Sequence, residues 1–308
     1  EPVFMTPEPS GAPPQKRSLA SLRRDLQMFA KYHLVRQPHR YPAPAEAEMR
    51  VELLPYDPSA HERELRSHAE HFDVETLGSV AYRGREHAIT WLRNRAPASA
   101  PRLLVLSGVH GNEHAGIVSV PRLLERLVAL GEPRVAVGIV TPVNPIGAME
   151  GSRFNGQGFD INRDFRRFDT EEARLVRQVI ADFRPQLIVS LHEGPQDASF
   201  VFVNRRVKAG LAERAIAQLA EHGVRLATTD YFGRTLPAPG YAPVSLTNHL
   251  LTRLWALTLG MMHTGMYADE LGIGELTLES SWRGREEDRV RAHVELVCAL
   301  VAELTPAH

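Results

Sequence analysis

A chain of 308 residues with 36 Lys and Arg against 37 Asp and Glu carries a formal net charge of −1, which excludes the strongly basic surface a nucleic-acid partner requires. Hydrophobic residues make up 43% and charged residues 24%, the balance of an ordinary globular protein, and the length allows one large α/β domain or two modest ones. The single cysteine, Cys298, excludes both a disulfide framework and a thiolate metal site within the chain.

The first residues, EPVFMTPEPSGAPPQ, lack the basic-then-apolar order of a signal peptide, so the protein is expected in the cytoplasm. The chain does not begin with Met, and a removed leader remains compatible with it. Residues 1–17 are Pro-rich and expected to be irregular. SLASLRRDLQMFAKYHLV (18–35) sets leucines and Phe29 at helical spacing, with Ser18 or Ser21 as N-cap, and QPHRYPAPAEAE follows as a linker. Residues 1–60 are therefore expected to form an N-terminal extension, and 61–308 the catalytic domain. HERELRSHAEHF (61–72) predicts a short surface helix. It holds an H-x-x-E pair, His61 and Glu64, but in a chain with 14 histidines such a pair arises by chance.

From residue 74, ETLGSVAYRG and EHAITWLRNR predict a hairpin around Arg83-Gly84. RLLVLSGV is an apolar strand, AGIVSVPRLLERLVAL a helix, RVAVGIVTPVN a strand, EEARLVRQVIADF a helix and PQLIVSLHEG a strand. KAGLAERAIAQLAEHG adds a helix, IGELTLES a late strand, and REEDRVRAHVELVCALVAEL a closing helix that buries Cys298. No stretch reaches the roughly 18 uninterrupted apolar residues of a membrane span; the nearest, LWALTLGMMHTGM, is broken by His263. Alternating strands and helices, with strands apolar throughout, predict an α/β domain. Its sheet should be mixed, mostly parallel and twisted, with helices on both faces and ligands beyond the carboxyl ends of the strands.

Three strand ends carry chemistry. RLLVLSGV delivers His110 and Glu113, PQLIVSL delivers His192, and GELTLE delivers Glu279. Two imidazoles and one carboxylate without cysteine form a catalytic zinc set that keeps a fourth position for water. Zinc lowers the pKa of that water to about 7, and a nearby carboxylate then acts as base. Alternation puts Glu275, Thr277 and Glu279 on one face of the strand, so Glu275 stands as a second candidate base. Glu193 points away from its neighbour His192 and is read as structural or as part of the rim.

HGNE at 110–113, NPIG at 144–147, RFNGQGFDINRDF at 153–165, LH at 191–192 and LTLE at 276–279 occur in that order. Together they resemble the zinc metallocarboxypeptidase family, most closely its small bacterial branch of murein-peptide amidases. The resemblance runs from about residue 74 to the C-terminus. It implies one zinc per chain on His110, Glu113 and His192, with Glu279 as the general base that passes a proton to the leaving amine. Arg153 would polarise the scissile carbonyl, Asn162 and Arg163 would hold a substrate carboxylate, and Asp160 would orient His110 through its other ring nitrogen. Asp164 stands where the family has Asn, which would trim the recognition pocket. No tyrosine occupies the family's substrate-capping position. Tyr231 and Tyr241 lie in a Gly/Pro-rich loop, and Tyr241 is taken as the substrate-binding candidate.

The implied activity is zinc-dependent hydrolysis of a peptide or amide bond next to a free carboxylate, by a metallocarboxypeptidase or related amidohydrolase. Its substrate would be a peptide or an N-acyl amino acid, with no nucleic-acid or membrane partner and the oligomeric state left open. One alternative is an N-acyl-amino-acid deacylase of the succinylglutamate desuccinylase/aspartoacylase type. Members of that branch continue into a β-rich domain, whereas 29 residues follow Glu279 here. The other alternative is a catalytically silent zinc- or peptide-binding protein.

Overall fold

The computed structural model describes residues 53–306 apart from 209 and 232, and the expected helix and linker before residue 53 lie outside the described residues. Helix α1 (Pro58–Ser67) begins where Asp57 accepts the Ala60 N–H and Pro58 fills the first turn, a standard N-terminal pairing. The expected domain boundary at residue 60 falls inside this helix, and Leu54 before it is already buried in the main core. Strands β1 (Phe72–Tyr82) and β2 (Arg85–Asn94) pair antiparallel. Arg83 and Gly84 turn between them with φ of 48° and 75°, the positive angles a two-residue hairpin needs.

The sheet centre is parallel. Strands β3 (Arg102–Ser107), β4 (Ala136–Thr141), β5 (Leu187–Gly194) and β8 (Gly274–Ser281) form it. The short β6 (Phe200–Val203) runs antiparallel to β8, and β7 (Tyr241–Pro243) closes the edge. The order across all eight strands is β1-β2-β4-β3-β5-β8-β6-β7, so the expected mixed sheet is present.

Helices α2 (His114–Ala129), α5 (Leu211–Glu221) and α8 (Glu286–Leu304) cover one face, packing on Leu103, Val105, Val189, Leu191, Leu276 and Leu278. On the other face α4 (Glu171–Phe183), α6 (Leu246–Thr258) and α7 (Thr264–Glu270) pack over Leu104, Leu106 and Ile188. Burial on both sides is why these strands read as continuous apolar runs. Helix α6 leaves Leu246, Leu250, Leu254 and Leu257 exposed, and with β6, β7 and α7 it was not foreseen. Among the described residues no helix is long and apolar enough to cross a membrane.

The second face turns polar toward its carboxyl end. Along β5 it passes from Ile188 to Ser190 to His192, and along β8 it presents Glu275, Thr277 and Glu279. The register pairs Ser190 with Thr277 and His192 with Glu279. Partners in register on neighbouring strands point to the same side, so the last pair meets at the sheet's carboxyl edge.

Candidate metal centre

Strand β3 ends at Ser107, and Gly108 turns the chain at φ 70°. The HGNE loop then presses against a short helix, α3 (Pro145–Glu150), whose start is capped by Asn144 accepting the Gly147 N–H at 2.8 Å. A Cβ at Gly111 would overlap the Gly147 backbone, so only glycine permits this approach. Glu113 occupies the N-cap position of α2, yet its side chain makes no cap bond. It turns inward instead.

There it meets both histidines. Glu113 Oε1 lies 2.7 Å from His110 Nδ1, Glu113 Oε2 lies 2.7 Å from His192 Nδ1, and the two Nδ1 atoms are 3.1 Å apart. All three residues are at most 4% exposed, and one ligand atom from each lies within 4.8 Å of the others. Two ring nitrogens facing each other across one carboxylate leave a focus of lone pairs that a divalent cation satisfies. Burial would raise the Glu113 pKa, but the two imidazoles outweigh it and hold the carboxyl below its usual range. Burial lowers the pKa of His192, against the pull of Glu113, which favours the neutral imidazole a metal needs.

Asp160 organises the second layer. Its Oδ1 faces His110 Nε2 at 3.2 Å and accepts the Asn162 N–H at 3.0 Å, while Oδ2 takes Arg153 Nε at 3.0 Å and Nη2 at 2.9 Å. Burial works against its ionised form, but Arg153 and His110 hold the pKa well below normal. The remaining arm of Arg153 reaches the cluster, with Nη1 3.2 Å from His110 Nδ1 and 3.6 Å from Glu113 Oε1. Asn155, which sequence reasoning passed over, fixes this loop by accepting the Gln157 and Phe159 N–H groups and donating to both oxygens of buried Glu172. A lone Asn carries no signal of that role.

Glu279 stands beside His192 across the strand pair. Burial first, and then the Glu113 charge, push its pKa well above normal, with Arg153 opposing. Glu275 lies deeper on the same face. Its Oε1 accepts from Ser190 at 2.8 Å and Thr264 at 2.7 Å, and burial pushes its pKa up to about 7. Glu193 sends its side chain to the opposite face, where it accepts from Arg289 Nε at 2.7 Å and the Ala115 N–H at 2.8 Å, while its own N–H donates to Glu113 Oε2. It is a buried anchor and has no place on the rim.

Asn162 Oδ1 accepts the Thr264 N–H at 3.1 Å, and Arg163 is half-buried with Asp160, Arg153, Tyr231 and Glu279 as its charged or ionisable neighbours. Asp164 faces away, accepting the Thr170 N–H and hydroxyl below α4, so it does not line a pocket. Tyr241 opens β7 with Glu213 as its ionisable neighbour and packs against the core of the first face, across the sheet from the cluster. Tyr231 is the tyrosine at the site. The residue as a whole is 36% exposed, its ring packs edge-on against Phe200 and Phe202, and desolvation on its cluster side, followed by the Glu279 charge, raises its pKa. His263 also faces the site, near Arg163 and His192, and burial pushes its pKa down to about 3. The decoy pair does not converge: His61 is buried and Glu64 exposed.

This fold is shared with metallocarboxypeptidase-like proteins. A protein of Shewanella denitrificans assigned to the metallopeptidases superposes with a TM-score of 0.64 at 21% identity, over 82% of this chain and 92% of that one. A metallo-carboxypeptidase of Pseudomonas aeruginosa, solved with (2-guanidinoethylmercapto)succinic acid, gives 0.57 at 21% identity over 81% and 70%. In sequence, residues 99–225 match the family model of the succinylglutamate desuccinylase/aspartoacylase catalytic domain. Carboxypeptidase 2 of Trichophyton rubrum is 30% identical over 98 residues, which are 30% of this chain and 18% of that protein. The match thus spans under a fifth of that relative's length. These relatives and neighbours are hydrolases.

Proposed function

We propose that the protein is a zinc-dependent hydrolase that cleaves a peptide or amide bond next to a free carboxylate. The observation that carries this reading is the convergence of His110, Glu113 and His192 with Arg153, Arg163 and Glu279 around them. Two neutral nitrogens and one carboxylate oxygen suit zinc and leave it an open position. When bound there, zinc supplies a Lewis acid that polarises a carbonyl and acidifies water. Glu279 takes a proton at its carboxylate and returns it to the leaving nitrogen, a task its raised pKa favours. Arg153 offers a fixed cation for the oxyanion that develops on the carbonyl, and the buried walls keep bulk water from screening it. Arg163 and Asn162 anchor the substrate carboxylate, as a guanidinium fork pairs two oxygens at once. Tyr231 replaces Tyr241 as the aromatic over the substrate.

A second reading, N-acyl-amino-acid deacylation, draws on the family match over residues 99–225 and uses the same zinc set. One screen separates the two. The zinc-loaded protein is offered peptides and N-acyl amino acids, each with a free and an amidated carboxylate. The expected result is about one zinc per chain, and a loss on the order of 10²-fold in kcat/KM on amidation that Arg163→Ala largely erases. Glu279→Gln should retain zinc while turnover falls by roughly 10²–10⁴. Equal turnover of free and amidated forms would overturn the carboxylate requirement. Zinc retained in His110→Ala but lost in His61→Ala would overturn the metal site.

A further inference from the structure

The polar face of the sheet continues beneath the metal cluster, and the mechanism above leaves that part unused. Below the His192–Glu279 pair come Ser190 and Thr277 in register, and below them Glu275, 1% exposed. The start of α7 packs opposite. Glu275 Oε1 receives the Ser190 and Thr264 hydroxyls, whereas Oε2 is buried without a hydrogen bond among the described residues. Gly265 stands beside that oxygen, where a Cβ would come within 2.9 Å of it; glycine keeps Oε2 clear. The groups that act on Glu275 are the hydroxyls of Thr264, Ser190 and Thr277, with no cation among them.

A buried carboxyl with one oxygen unpaired is a costly feature that calls for an occupant. Two hydroxyls on Oε1 and no hydrogen bond on Oε2 leave the second oxygen free to accept from a donor, and a cationic donor suits a carboxylate best. Building on the proposed hydrolase reading, we propose that Glu275 sets the side-chain preference of the site by pairing with a substrate side chain that ends in an ammonium or guanidinium group. The wall that holds Glu275 also holds the carboxylate anchor, because the Thr264 N–H donates to Asn162 Oδ1. One residue of substrate therefore spans both. Four residues of strand separate Glu275 from Glu279, about 13 Å of rise, and Glu275 leans toward Ser190 to shorten that gap. A long basic side chain reaches roughly 6–7 Å from its Cα; a short one stops before the carboxyl. Neutral His263 adds no competing positive charge.

The test uses zinc-loaded protein and N-benzoylglycyl dipeptides ending in L-arginine, L-lysine or L-norleucine. The basic substrates should exceed norleucine by at least tenfold in kcat/KM. Glu275→Gln, which keeps the shape and the hydroxyl bonds, should lower that ratio at least tenfold. Glu275→Asp keeps the charge but retracts it, so it should raise the arginine-to-lysine ratio; this variant serves if the glutamine form does not fold. A flat wild-type series, or a ratio unmoved by both variants, overturns the proposal while leaving the hydrolase reading intact. Absence of cleavage with every dipeptide overturns the hydrolase reading instead. The side-chain preference is then read by calorimetry, as tighter binding of free L-arginine than of L-norleucine that is lost in Glu275→Gln; equal binding of the two would sink it.

Discussion

Replacing Asp160 with Asn tests how far the metal ligands depend on the groups behind them. The carboxylate serves two sides at once: Oδ1 faces His110 Nε2 at 3.2 Å and the Asn162 N–H, and Oδ2 holds the Arg153 fork at 2.9 and 3.0 Å. An ionised carboxylate only accepts, so His110 must carry its proton on Nε2 and present the lone pair of Nδ1 to the metal. An amide cannot serve both sides. With its oxygen toward His110, its NH2 meets the Arg153 donors; turned round, it loses the histidine. The Arg153 side chain is 19% exposed, and hydrogen bonds to charged groups contribute about 1.5–3 kcal/mol each in such settings. Asp160→Asn should therefore lower stability by about 2–3 kcal/mol. It should weaken zinc binding roughly 10–100-fold, the usual cost of losing the partner of a ligating histidine. Urea unfolding reads the first quantity, and competition with a chromophoric chelator reads the second. Zinc affinity within twofold of the parent, in a folded variant, would refute the claim that Asp160 orients His110.

Two further outcomes follow from buried groups. Arg289 and Glu193 pair at 2.7 Å with side chains at most 2% exposed, so Arg289→Met should cost about 3–5 kcal/mol in urea unfolding by stranding a buried charge. Adding Glu193→Gln should recover part of that loss, and a single-variant loss under about 1 kcal/mol would show that the pair does not bear on stability. His61 is the pH-sensitive case: burial pushes its pKa from 6.5 down to about 4, so below 6.5 the unfolded chain binds a proton that the folded one refuses. Stability should fall with acid, by about 2 kcal/mol from this group between pH 7 and pH 5. His61→Leu should shrink the shift in urea midpoint between those pH values, leaving the share due to the other histidines that burial lowers, His263 and His293 at about 3 together with His114 and His192; an unchanged shift would contradict the burial of a neutral ring.

What was legible in the sequence follows from which residues act locally. β3, β5 and β8 showed because both of their faces are buried, and the hairpin showed because Arg83-Gly84 must turn with positive φ. Alternation correctly put Glu275 and Glu279 on one face and Glu193 on the other, since strand geometry has a fixed period. It gave no partners. Arg289 lies 96 residues from Glu193, and no local pattern announces such a pair. β6 and β7 are too short to show a period, and α6 hid because its leucines face outward. Tyr231 and Tyr241 share one irregular loop, and only its tertiary path brings the first to Glu279 and the second to Glu213.

The carboxylates around the cluster divide by their partners. Glu113 and Asp160 are as buried as their neighbours, yet imidazoles or Arg153 hold both low. They stay ionised whatever the pH of the medium within the physiological range, as a metal ligand and a histidine anchor must. Glu275 has no cation among the groups that act on it, and for Glu279 the pull of Arg153 and Arg163 is outweighed, so burial drives both up. A carboxylate with a raised pKa is the one able to take up a proton near neutrality, or to gain most from a cation that arrives with the substrate. The same burial thus yields opposite states, set by whether the charged partners of each carboxylate outweigh it. On the polar face of the sheet, the two carboxylates in which burial wins are therefore the two assigned to the substrate: Glu279 at the reacting bond and Glu275 below it.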